Sequence, residues 1–336
     1  MRRTNDFDSY VMHTPLLNPT LPTHPPGLPV SRVHTDEGTI KFALRTDDGH
    51  EIESVIIPMG ARENTWQSLC VSSQVGCARA CTFCQTGRMG LLRNLTVEEI
   101  TAQAAAAREH FGADVRNIVF MGMGEPMDNL DNVIRAIELF HGDRAHPVAR
   151  RRITVSTVGK CTGIRRLAAL GWRRLGLAVS LNAPNDEIRS SIMPINRTEP
   201  MAMLREAIAA YPVRAGGHVL IEYVLLREIN DAPEHAMQLA DYLRGLSTCV
   251  NLIPWNPIEQ SEYRTPDDSV IDGFQQILMD AGQLAFRRNT KGRTAMGACG
   301  QLGRIVHDLH SAEHDRHAEE HQRRSILPTQ ASPVDS

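Results

Sequence analysis

The 336-residue sequence contains no apolar run approaching the ~18 residues that a membrane-spanning helix needs. Its first twenty residues, MRRTNDFDSYVMHTPLLNPT, hold no apolar core of the secretory type. Both absences lead us to expect a cytoplasmic protein. There is no internal repeat. There is also no strong charge imbalance: the formal net charge is −3, which by itself does not point to nucleic acid. What is present is enough for a sizeable core, with 42% apolar residues and a mean hydropathy of −0.27.

Charge that is missing overall is present locally. From His141 to Leu175 there are nine Lys or Arg residues against the single acid Asp143, a segment of +8. A second run, Phe286 to Arg293, has four basic residues and no acid. Clustered basic charge is the usual footprint of phosphate-backbone contact. A solvated arginine-rich helix face is the plainer explanation for one such run.

Residues 1–35 are proline-rich and read as an extended or disordered lead-in. Residues 36–68 hold two strand-like runs, TIKFAL and EIESVIIP, joined at Asp48-Gly49 as a hairpin extension. From Leu69 short β-rich runs alternate with helical ones, and Thr96 and Glu99 stand at capping-box spacing before the first helix. Six strand–helix units predict an α/β fold with a parallel sheet, open or closed into a barrel or partial barrel. Beyond Gly303 lies a polar tail, 304–336, in which His307, His310, His314, His317 and His321 would form one stripe on a helix. A polar terminal helix explains that stripe better than a metal site does.

In such folds function gathers at the carboxyl ends of the strands. There the sequence places the cysteine loop at 77–84, GMGEP at 122–126, Ser156-Thr157, Ser180-Leu181-Asn182 and PWNP at 254–257. Seven cysteines, three of them within eight residues, indicate metal or redox chemistry in a reducing compartment. Cys77, Cys81 and Cys84 are spaced CxxxCxxC, and no Cys or His follows within twenty residues to complete a zinc site. Three thiolates without a fourth suit an iron–sulfur cluster with one open iron, where a substrate or cosubstrate binds.

LCVSSQVGCARACTFCQTGRMGLLRNLTVEEI, FMGMGEPMDN, TVST, SLNAP, NLIPWNP and ACGQL, in this order, resemble the RlmN/Cfr family of radical S-adenosylmethionine (radical SAM) RNA adenosine methyltransferases. The match covers about residues 50–303. The resemblance implies a partial (β/α)6 TIM-like barrel over 69–303. It implies one [4Fe–4S] cluster held by Cys77, Cys81 and Cys84, and SAM contacted by Gly124, Glu125, Ser156, Ser180, Leu181, Asn182 and Asn256. It further implies that Cys299 is the methyl-carrying cysteine, that Cys70 resolves it through a transient disulfide, and that Glu53 accepts the ring proton. The expected product is an adenosine methylated on carbon 2 in preference to carbon 8, in ribosomal or transfer RNA. The expected partners are that RNA and an electron donor such as flavodoxin or ferredoxin, with the enzyme a monomer.

Three departures from the family pattern stand out. About 35 proline-rich residues stand where the family has a longer helical N-terminal module, so RNA docking is expected to differ, or another region such as the +8 segment to carry more of it. Asn182 stands where the family has histidine. The tail after Gly303 is long and His-rich. Two other readings are a radical SAM enzyme with a different substrate, which would need neither Cys70 nor Cys299, and a non-catalytic metal-bearing RNA-binding protein, which would not cleave SAM.

Overall fold

The computed structural model describes residues 27–59, 66–288 and 300–303. An antiparallel meander opens it: β1 (Val30–Asp36), β2 (Thr39–Arg45), β3 (Glu51–Met59) and β4 (Trp66–Cys70). β1 lies inside the stretch expected to be an unstructured lead-in. Its partner β2 supplies the ladder that the proline-poor residues 30–36 complete, turning at Glu37-Gly38 with both φ angles positive (46° and 78°).

A small antiparallel pair, β5 (Gln74–Gly76) and β6 (Leu91–Asn94), brackets the cysteine loop and the short helix α1 (Gln85–Met89). Helix α2 (Val97–Phe111) begins with the expected capping box: Glu99 N–H donates to Thr96 Oγ1 at 3.2 Å, and Thr96 N–H to Glu99 Oε2 at 2.9 Å. Then β7 (Val115–Phe120), α3 (Leu130–Gly142), β8 (Ile153–Thr157), α4 (Cys161–Ala169), β9 (Gly176–Ser180), α5 (Asp186–Ile192), α6 (Met201–Ala210), β10 (Val219–Leu225), α7 (Pro233–Leu243), β11 (Thr248–Pro254), α8 (Asp268–Asp280) and β12 (Leu284–Arg287) follow.

The ten-strand sheet runs β1-β2-β3-β4-β7-β8-β9-β10-β11-β12. From β4 to β12 every pairing is parallel. The sheet has two edges and is an open, partial barrel with the antiparallel extension on one side. The six expected strand–helix units are present, and β12 adds a seventh parallel strand where the sequence shows only a short basic run. The core is largely aliphatic, including Leu69, Ile118, Val155, Val179, Ile221 and Val250, all at 0% exposure. β3 sorts its side chains by period two. Ile52 and Ile56 enter the main core, while Val55 and Ile57 face a smaller cluster with Cys70, Met123 and Leu302.

Candidate active site

The cysteine loop is folded against one glycine-dependent turn. Gly76 has φ +77°, and a Cβ there would lie 1.9 Å from Gly90 O, the atom that accepts the Cys77 N–H at 2.8 Å. Gly87 is needed for a different reason: it is helical, and a Cβ would come 2.9 Å from Cys81 O. The loop is then fastened from several elements. Thr82 N–H donates to Ile192 O (3.0 Å), Trp255 Nε1 to Phe83 O (3.1 Å), Gln85 N–H to Gly300 O (2.8 Å) and Thr86 Oγ1 to Leu302 O (2.6 Å). Residues from three separate parts of the chain, at 192, 255 and 300–302, therefore hold the cysteine loop.

Cys77 and Cys81 are buried and Cys84 is half-buried. Burial pushes the Cys77 thiol up to about 12 and the Cys81 thiol well above its ordinary range, and Cys84 pushes both further in the same direction. The thiols thus feel one another's charge. Soft donors that share one neighbourhood fit an iron–sulfur cluster, in which each sulfur holds its own corner.

Beside this loop a cleft of about 900 Å³, counting its open mouth, crosses the carboxyl ends of β7 to β11. Cys81, Cys84, Gly124, Glu125, Ser156, Ser180 and Asn182 all line it. The Gly124–Glu125 turn is pressed on Gln74, which accepts the Glu125 N–H at 2.8 Å, and a Cβ at Gly124 would strike that side chain at 2.6 Å. Glu125 is 1% exposed. Its carboxylate accepts N–H bonds from Met127 (3.0 Å) and Val158 (2.8 Å). Burial raises its pKa to about 7 despite these donors.

Asn182 has φ +57°, a conformation that asparagine tolerates better than most residues. Its Oδ1 accepts the Val224 N–H at 2.8 Å and its Nδ2 donates to Met193 Sδ, so it ties β9 to β10 at the cleft wall. Leu181, expected among the SAM contacts, is turned the other way. Its side chain is in the main core, its N–H donates to Glu222 O, and its carbonyl is taken by Arg189. Strand alternation gives the reason: Ser180 and Asn182 share the cleft side and the residue between them cannot. Asn256, next in sequence to the cleft residue Trp255, is buried and does not itself line the cleft.

Glu222 is a cleft residue that sequence reasoning missed. It is 5% exposed and accepts Asn251 Nδ2 at 2.7 Å, in register with Ser180 and Asn251 across β9, β10 and β11. The available signal was an acid inside the apolar run VLIEYVL.

The other predicted residues gather at the β3–β4 side. Glu53 is 3% exposed. Its carboxylate is bound by Lys41 Nζ (2.9 Å), Arg32 Nη2 (3.0 Å) and the Gly303 N–H (2.7 Å). Cys70 is buried with Val55, Met123 and Leu302. A buried amide fixes this corner. Gln103 of α2 accepts from Ser54 Oγ and Ser72 N–H, both at 2.7 Å, while Ser72 Oγ donates to Glu53 O at 2.6 Å. Cys299 and the histidine stripe lie outside the described residues, as do residues 1–26.

The +8 segment does not form one surface at the cleft. Arg150–Arg152 make a 3-10 turn directly ahead of β8, and Arg173 and Arg174 directly precede β9, at the amino end of the sheet. Arg150 stacks over Trp172 at 4.4 Å and Arg152 over Trp66 at 5.7 Å. Lys160 and Arg166 pair with Asp128 and Asp131. Contiguity in sequence is broken up because the segment spans a strand and a helix. No helix among the described residues is long and apolar enough to cross a membrane.

Residues 71–240 match the family described as the radical SAM superfamily. A probable dual-specificity RNA methyltransferase RlmN 1 of Protochlamydia amoebophila is 46% identical over 278 residues, covering 83% of this chain and 76% of the relative. The dual-specificity RNA methyltransferase RlmN of Geobacter sulfurreducens is 45% identical, over 83% of this chain and 74% of its own. A solved radical SAM methyltransferase from Sphaerobacter thermophilus superposes with a TM-score of 0.76 at 44% identity, covering 82% of this chain and 81% of the other. The superfamily's cofactors, a [4Fe–4S] cluster and SAM, suit two buried thiols and one half-buried thiol beside a cleft that carries a few polar groups among apolar ones. The chain belongs to the RlmN/Cfr family and is a radical SAM RNA methyltransferase.

Proposed function

We propose that the enzyme methylates a ring carbon of an adenosine in ribosomal or transfer RNA, carbon 2 in preference to carbon 8, through a methyl group carried on Cys299. Cys77, Cys81 and Cys84 hold three irons of the cluster, and SAM occupies the cleft along Gly124, Glu125, Ser156, Ser180 and Asn182, with Asn256 next in sequence to the cleft residue Trp255. When bound, the cluster supplies the electron that cleaves SAM to a 5′-deoxyadenosyl radical.

The protein's own groups do the rest. An aromatic C–H carbon of adenine is not nucleophilic, so direct transfer from SAM fails. The Cys299 thiolate instead takes a methyl by displacement from one SAM. A hydrogen atom would pass from that S-methyl group to the 5′-deoxyadenosyl radical, giving 5′-deoxyadenosine, and the resulting carbon radical would add to the base. The adduct radical would give up one electron, to the cluster or the external electron carrier, and its ring proton to Glu53. The Cys70 thiolate would then attack the Cys299 sulfur; the electrons of the carbon–sulfur bond go to the methylene carbon, which takes a proton to become the methyl group, and a disulfide is left. For Glu53 to take a proton, one of its three present partners must give way.

The observation that supports this reading most is the 2.7 Å bond from Gly303 N–H to Glu53, with Leu302 packed against Cys70. The segment that follows Cys299 in sequence thereby runs along both of its supposed partners. An electron donor such as flavodoxin or ferredoxin, a monomeric state and a cytoplasmic location complete the proposal. The test is nucleoside mass spectrometry of RNA methylated in vitro. We expect 2-methyladenosine. RNA methylated only on carbon 8, or only on a ribose or an amino nitrogen, overturns the assignment.

A further inference from the structure

Arg189, on α5, heads the fully buried side chains by volume among the described residues, with 0% exposure. Nε donates to Leu181 O at 3.1 Å, Nη1 to Asn196 Oδ1 at 2.8 Å and to Glu199 O at 3.4 Å, and Nη2 to the carbonyls of Val158 and Ser180. Every acceptor is neutral. Among the described residues no carboxylate lies within ion-pair distance of the guanidinium; Asp186 acts on it only from beyond Asn196, whose Nδ2 it accepts at 2.8 Å. Hydrogen bonds to carbonyls offset part of the desolvation of a buried cation, but a missing counter-charge remains expensive. Burial accordingly pulls the Arg189 pKa below its ordinary value.

The position of this charge is informative. Val158 and Ser180, whose carbonyls it binds, sit at the outer ends of β8 and β9 and line the cleft. The same short helix ends at Ile192, whose carbonyl accepts both the N–H (3.0 Å) and the hydroxyl (3.3 Å) of Thr82 in the cysteine loop. Ile192 and the adjoining Met193 pack in one cluster with Cys81. A single helix thus touches the thiol loop at one end and, through one side chain, the opposite wall of the cleft. The chain also makes room for the fork. Gly159 has φ +101°, and a Cβ there would lie 2.9 Å from Leu204 Cδ2 and 3.0 Å from Arg189 Nη2.

We propose that Arg189 is a positioning residue of this active site: its planar fork sets the outer ends of β8 and β9 against the cysteine loop, and its charge is balanced by the anionic, thiolate-held cluster. The proposal rests on Cys77, Cys81 and Cys84 being the cluster ligands. A guanidinium is suited to both tasks, because it presents five donors in a rigid plane and keeps its charge when buried. Lysine keeps the charge but not the fork, and methionine keeps neither. A nearby cation favours the reduced, more negative cluster, so removing it makes reduction harder.

The experiment uses the full-length, reconstituted enzyme and its Arg189→Met, Arg189→Lys and Gly159→Ala variants. Iron content, the cluster's midpoint potential by EPR-monitored titration, and SAM affinity by equilibrium dialysis are measured separately. Arg189→Met is expected to lower the potential and weaken SAM binding about tenfold. Arg189→Lys is expected to recover the potential but not the affinity. Gly159→Ala is expected to leave the potential alone and weaken SAM binding. An iron-replete Arg189→Met enzyme with unchanged potential and affinity overturns the proposal. If that variant does not fold, unchanged SAM affinity in both other variants overturns it. A parent enzyme that takes up no cluster contradicts the cysteine assignment instead, so the two failures are distinguishable.

Discussion

Two buried glutamates mark two regions of this molecule. Glu53 belongs to the antiparallel extension and is met by two cations and one N–H group. Glu125 belongs to the parallel barrel and is met only by neutral donors, two backbone N–H groups and the Thr157 hydroxyl, with burial raising it to about 7. The side chains are chemically the same and both are almost inaccessible. The extension surrounds its carboxylate with counter-charge, whereas the barrel meets its carboxylate with neutral donors at the wall of the cleft.

The contrast can be broken by mutation. Glu53→Gln keeps the shape but removes the proton acceptor, and should reduce single-turnover methylation by about 10²–10⁴-fold while SAM cleavage continues. Equal loss of both would move Glu53 from base to scaffold. Next in size, Lys41→Met leaves a buried carboxylate short of a partner. Denaturant unfolding should show a loss of about 3 kcal/mol, the low end for a broken buried pair, because Arg32 and Gly303 remain.

For Glu125 the sign reverses. Its folded pKa, about 7, lies above the unfolded value of 4.5, so the folded state binds the extra proton. Its contribution is complete below pH 4.5 and is lost as pH rises to about 7, amounting to about 3 kcal/mol. Cluster-free Glu125→Gln protein should lack this part of the decline in stability between pH 5 and 7.5. A parent protein with no such decline would erase the contrast. The smallest effect is expected for Arg32→Ala, about 1 kcal/mol, since Arg32 is partly exposed and also serves Glu51.

Much of this was legible before the structure. The strand–helix rhythm yields the parallel sheet, because apolar period and turn chemistry are local signals. CxxxCxxC and GMGEP mark the cleft because the residues that line it are adjacent in sequence. β12 was missed because LAFR is a four-residue edge strand with Leu284 and Phe286 exposed. β1 was missed because its side chains are mostly exposed and give little alternation. Leu181 lies apart from Ser180 and Asn182 because a motif names neighbours together while a strand sends their side chains to opposite faces. The bond between Glu53 and Gly303 joins residues 250 positions apart, and no periodicity encodes it. Arg189 reads as an ordinary surface arginine in DEIRSSI, and only the folded carbonyl ends of β8 and β9 make it central.

The central claim is that Cys70 and Cys299 act as a pair beside Glu53. The most direct measurement is mass spectrometry of the Cys70→Ala enzyme after incubation with SAM, reductant and RNA. We predict a covalent RNA adduct on Cys299 through one added carbon, absent from the Cys299→Ala enzyme. A Cys70→Ala enzyme that cleaves SAM and releases methylated RNA at the parent rate, with no adduct, would contradict the account.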